Sequence, residues 1–152
     1  MGATIHEALG GDAVVLRLAQ AWHRRCLADP VVNHAFSHGF HPQHDERLAA
    51  YWIEALGGPA TYTASLGDQS MVTRMHSGNG VHDEMDRRAL TCFEGALDDV
   101  GVVDAPLRRT LVAWFAWAID RMSDYHESAY DVPDGLPMQR WSWDGPVASD
   151  VS

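Results

Sequence analysis

A chain of 152 residues, 46% hydrophobic and 21% charged, has the size and composition of one globular domain with a real core. Its formal charge is −10 and all eleven basic residues are arginine, which excludes the basic stripe that nucleic acid or an anionic membrane surface requires. No apolar run reaches the length of a membrane span, and "MGATIHEALGGDA" has no basic start followed by an apolar block, so a cytoplasmic location is expected.

Taken in chain order, the pattern predicts a short helix over 3–9, stopped by Gly10 and Gly11. Asp12 then reads as the cap of a helix over 13–28. Its Val15, Leu18, Ala19, Trp22 and Cys26 recur at helical spacing, and the adjacent stripe Leu16, Ala19, His23 and Leu27 puts His23 at the border of the core. Asp29-Pro30 breaks this helix; a short turn runs to Phe36 and a loop with Gly39 and Pro42 follows. The next helix is expected from Pro42 or Gln43 to Leu56, with Asp45 and Glu46 where the helix dipole favours acids, and it ends at Gly57-Gly58-Pro59. Residues 60–80 are turn-rich, with one helical piece over 68–76. Long helices follow over 83–99 and from Asp104 to Tyr125, the second with the stripe Leu107, Leu111, Trp114 or Phe115, Ala118 and Met122. No segment alternates with period two, so the fold class is all-α. The expected division is a helical domain over 1–126 and a Pro/Trp-rich C-terminal arm over 127–152, packed on the domain or partly flexible. Cys26 and Cys92 lack a CxxC-like spacing and are expected to be buried, reduced thiols.

The chemistry-bearing feature is the crowd of histidines at His34, His38, His41 and His44, four of the nine in the chain. Solvated loop residues are one reading. A zinc site is a second, since zinc takes three or four His, Cys or carboxylate ligands, but two pairs straddling a glycine loop match no recognised pattern. A haem pocket is a third, and it needs only one strong histidine ligand and an apolar cavity. His44 and Leu48 lie one turn apart on one helical face, Trp52 continues it, and His76 follows at the end of the 68–76 piece.

These residues carry a resemblance. The glycine pair Gly10–Gly11, the segment "ERLAAYWIEALGGPATYT" over 46–63 and the segment "RMHSGNG" at His76 are together similar to the truncated haemoglobins, most of all their group II, over roughly residues 5–125. The resemblance implies a truncated globin fold, a two-over-two helical sandwich around one haem b. It implies His76 as the proximal iron ligand, Phe36 packed on the ring, and Leu48 and Trp52 on the helix that covers it. Arg47 and Arg74 would reach the propionates, because a guanidinium pairs well with a carboxylate. Tyr62 would add a hydroxyl donor.

The sequence departs from the family pattern on the distal side. His23 stands where many members carry tyrosine, His44 where group II members carry a small residue, and Ala89 where group II carries tryptophan. The tyrosine–tryptophan network that grips dioxygen is therefore absent. In its place the resemblance puts His23 and His44 in the distal pocket, with His44 donating to bound oxygen or coordinating iron itself. The implied function is a globin that binds dioxygen, nitric oxide or carbon monoxide, with possible redox activity. The alternatives are a haem-dependent nitric oxide dioxygenase, peroxidase or other oxidoreductase, a helical zinc protein using the histidine loop, and a haem-free interaction module. A reductase is a possible partner, nucleic acid and membrane are not, and a monomer or homodimer is expected.

Overall fold

The structure is a computed structural model that describes residues 2–80 and 82–147. Seven α-helices are seen among them: α1 (Ile5–Leu9), α2 (Asp12–Ala28), α3 (His44–Ala55), α4 (Thr61–Ser65), α5 (Gln69–Met75), α6 (Asp83–Asp99) and α7 (Ala105–Met122). Helix α2 packs on both α3 and α6, and α6 packs on α7, which produces the two-over-two sandwich of the truncated globin fold.

Local chemistry sets most of the boundaries. Thr4 and Glu7 form a reciprocal capping box at α1, with the Thr4 hydroxyl accepting from the Glu7 amide at 3.1 Å and the Glu7 carboxylate accepting from the Thr4 amide at 3.2 Å. Asp68 caps α5 by accepting from the Met71 amide at 2.8 Å, and Asp104 caps α7 through the Leu107 amide at 3.0 Å. Gly57 has φ +97°, and a Cβ there would meet Thr4 at 3.0 Å; at Gly58 a Cβ would meet Ile53 at 2.6 Å and the His6 ring at 3.0 Å. The second glycine pair thus lets α1 dock on the end of α3, and the His6 amide completes the dock by donating to the Leu56 carbonyl at 3.0 Å.

The core lies where α2, α3, α6 and α7 meet. Trp52 stands edge-on to Trp22, Phe93, Trp114 and Phe115, with ring centroids 5.7 to 5.8 Å apart. Phe93 and Phe115 stack at 4.1 Å. Such pairs add to the area they bury, about 0.5–1.5 kcal/mol each. Cys26 and Cys92 are free thiols, both buried, in a smaller cluster with Val32 and Phe36.

Several boundaries differ from the sequence reading. Asp12 is the first residue of α2 rather than its cap, and α3 begins at His44. Thr61–Ser65 is a helix where turns were expected: Glu54 accepts from both the amide and the hydroxyl of Thr63, at 2.9 and 2.8 Å, and anchors its start. Helix α7 stops at Met122 rather than Tyr125.

The segment after α7 lies along the domain. Gly78 and Gly80 amides donate to the carbonyls of Tyr125 and His126. Arg140 pairs with Glu54, whose side chain is wholly buried, and the Trp143 indole donates to the Ala3 carbonyl at 2.8 Å. Trp141–Ser142 and Gly145–Pro146 pair as a two-residue antiparallel ladder, which the sequence pattern is too short to announce. The expected arm beyond Val147 lies outside the described residues.

Candidate functional site

His76 follows the last turn of α5 as its C-cap. Its Nδ1 lies 2.8 Å from the Val72 carbonyl, four residues back. A carbonyl only accepts, so Nδ1 carries the proton and Nε2 holds a free lone pair. Burial holds this imidazole below the ordinary histidine range, opposed by the bond to Val72, yet the ring keeps open surface. An imidazole with one ring nitrogen fixed by a carbonyl and the other holding a lone pair is in the state in which histidine binds a metal.

A second group of polar side chains lies on α2 and the first turn of α3. Asp45 Oδ1 is 2.6 Å from His23 Nδ1 and 3.1 Å from His44 Nδ1. The two imidazole centroids are 4.1 Å apart. Phe36 and Phe40 close round the pair, with centroids 4.4 to 5.6 Å from the two imidazoles. His23 is buried, and its Nε2 has no hydrogen-bond partner within the chain. Burial lowers the His44 pKa, with Asp45 opposing the shift and His23 adding to it. Asp45 was read from the sequence only as a helix-dipole acid. Its neighbour His44 was a signal, but its contact with His23 spans 22 residues and no local pattern encodes it.

The other expected site residues divide. Leu48 and Phe36 are both half-buried, one against the main core and the other in the Cys26–Val32–Cys92 cluster. Arg47 donates to the Leu66 carbonyl at 3.2 Å, which keeps its guanidinium beside the α4–α5 junction. Tyr62 is buried edge-on to Tyr51, and burial raises its hydroxyl pKa, while the Arg47 charge opposes the shift. Ala89 stands beside Trp22, whose indole donates to the Ala89 carbonyl at 3.0 Å. Arg74 is turned toward the C-terminal segment, where it pairs with Asp134 and donates to the Val132 carbonyl at 3.1 Å.

Trp52 does not extend the face of His44 and Leu48. At about 100° per residue it lies about 80° round the helix from His44, and its ring is held in the aromatic core. Tyr51, about 20° from His44 on the other side, is the residue that continues the face; it is buried and donates to the Gln69 side chain on α5 at 2.7 Å. The loop histidines do not converge. His34, His38 and His41 are exposed, and His41 Nδ1 accepts from the Gln43 amide at 2.9 Å. Among the described residues, the three potential metal ligands drawn together are His23, His44 and Asp45, so the histidine loop makes no zinc cluster there.

Comparison with known proteins agrees with this geometry. A family model described as bacterial-like globin matches residues 4–122. The haemoglobin of the thermophilic phototrophic bacterium Chloroflexus aurantiacus is similar at 26% identity and a TM-score of 0.69, over 81% of this chain and 99% of that one. The thermostable haemoglobin of the actinobacterium Thermobifida fusca is also 26% identical, with a TM-score of 0.66 over 88% of this chain and 100% of that one. The group II truncated haemoglobin of Bacillus anthracis has a TM-score of 0.72 at 22% identity, over 83% and 95% of the two chains, and speaks for the fold. No curated protein matches in sequence.

Proposed function

We propose, on the premise that the chain belongs to the bacterial-like globin family and is a haem-binding globin, that it holds one haem b without covalent attachment. In this reading Nε2 of His76 is the axial iron ligand, and the opposite face takes dioxygen or another diatomic molecule. The observation that carries the reading is the bond from His76 Nδ1 to the Val72 carbonyl, which leaves Nε2 deprotonated, on a side chain that keeps exposed surface. The buried, partnerless Nε2 of His23 is a second fit, because a buried polar atom without a partner is costly unless a ligand supplies one.

The roles of the other residues follow from their chemistry. Bound haem supplies the iron on which a diatomic ligand sits. Val72 fixes the tautomer and rotation of the His76 ring. Leu48 and Phe36 provide apolar walls and exclude water. Arg47 is the arginine suited to a propionate. Arg74 is committed to Asp134 and holds the C-terminal segment instead. Tyr62, beside Arg47, offers a hydroxyl at the same edge.

The test is a titration of the purified protein with haemin. One equivalent should be taken up with an intense Soret band. A protein that is folded by circular dichroism and stays colourless through the titration overturns the reading.

A further inference from the structure

Asp45 holds two imidazoles with one oxygen. Its Oδ1 is within hydrogen-bond distance of Nδ1 of both His23 and His44. A carboxylate only accepts, so both Nδ1 atoms carry the proton, and in each neutral ring Nε2 is left as a lone pair. The arrangement alters the expectation that His44 donates to bound dioxygen. With Nδ1–H committed to Asp45, Nε2 of the neutral ring can only accept. The low His44 pKa that burial produces keeps the ring in that neutral form near pH 7.

We infer that Asp45 is a positioning residue that sets His23 and His44 as paired proton acceptors, so that the site favours weak-acid ligands H–X, of the class of hydrogen peroxide and hydrogen sulfide, over ligands that arrive without a proton. The inference rests on the haem reading above. In the step it describes, the H–X bond breaks with its electron pair staying on X. The proton passes to Nε2 of one imidazole, and X⁻ becomes the anion available to the iron. Nothing is oxidised or reduced. The resulting imidazolium lies beside the Asp45 carboxylate, which compensates its charge. Phe36 and Phe40 lie against the buried His23 ring, while His44 and Asp45 keep some exposed surface.

The test compares two ligands of the ferric, haem-loaded protein by stopped-flow at neutral pH, followed at the Soret band. Hydrogen cyanide must lose its proton to bind, whereas azide is already an anion. In Asp45→Asn, the cyanide on-rate should fall on the order of 10- to 100-fold, toward the low end of what a positioned proton acceptor contributes, with azide changed far less. His23→Phe and His44→Leu should lower the same ratio. A purely structural role for Asp45 would slow both ligands together. As a measurement that needs no variant, ¹⁵N NMR of the diamagnetic ferrous carbon monoxide complex should show the Nδ1–H tautomer at both His23 and His44. An unchanged cyanide-to-azide ratio in haem-loaded variants, or an Nε2–H tautomer at both rings, overturns this inference alone. Failure to take up haem overturns both readings.

Discussion

The two faces of the proposed haem site are built in opposite ways. On the α5 side a single imidazole is oriented by a bond inside its own helix turn, from His76 to Val72, and the segment around it is braced from outside. Ser70 donates to the Pro133 carbonyl and accepts from the Leu136 amide, Arg74 pairs with Asp134, and the Gly78 and Gly80 amides are tied to Tyr125 and His126. On the α2–α3 side, two imidazoles are oriented by one carboxylate across separate helices, inside a collar of phenylalanine rings. The first arrangement fixes one lone pair rigidly, as an axial ligand needs. The second couples two bases, as proton exchange needs. The difference fits the proposed division, with the metal ligand on the α5 side and ligand chemistry on the α2–α3 side.

The largest way to break this comparison is at His76. His76→Ala should lose most of the haem on gel filtration, while His34→Ala and His38→Ala, both exposed in the loop, should retain it. Equal loss from all three would mean that the α5 side is not the anchor.

The brace comes next. Arg140→Ala strips the charge partner from Glu54, which has no exposed surface. Arg140 itself is exposed, so water can partly replace it, and the expected loss is about 1–3 kcal/mol, the cost of a buried polar group short of one partner, eased by the Thr63 donors that remain. Thermal melting measures it. The same variant should leave the cyanide-to-azide ratio unchanged, since Glu54 stands near the C-terminal end of α3, about two and a half turns from Asp45. A changed ratio would show that the two ends of α3 are coupled.

Smaller effects are expected at the walls. Phe36→Ala and Leu48→Ala should each lower the holo-protein melting temperature and speed haem loss, at roughly 2 kcal/mol, because both side chains are only half-buried. Unchanged melting in both would remove them from the ring. The smallest effect is one of pH. The folded-state pKa of His44 is lowered, so the folded protein binds fewer protons there than the unfolded chain. The stability that neutral His44 contributes is therefore full above the ordinary histidine pKa of about 6.5 and is lost as pH falls below it. Melting of the apoprotein from pH 8 to 5.5 should show this loss in the parent and less of it in His44→Leu.

On the α5 side the sequence placed His76 at the end of the 68–76 helical piece, because that depends on local pattern alone. Its bond to the Val72 carbonyl, four residues back, spans one helical turn and is seen in the structure. The glycine pairs were legible for a similar reason: a positive φ at Gly57 and the close approach at Gly58 leave few other residues possible. A spacing of four residues drifts round the helix, so Trp52, two such steps from His44, packs its ring in the aromatic core. Helix α4 was missed because its start depends on Glu54, a contact between elements that periodicity does not record.

By itself, then, the sequence determined the longer helices and the family pattern that points to His76, since each depends on neighbours within a turn or two. The tertiary structure alone decided which acid pairs with His23 and His44, which arginine pairs with Asp134 and how the last segment lies on α3 and α5. Those depend on pairs such as His23 with Asp45, Arg74 with Asp134 and Glu54 with Arg140, which are 22, 60 and 86 residues apart. Charge complementarity says that such residues can pair; only the packing of α2 on α3, and of the C-terminal segment on α3 and α5, selects the partners that do.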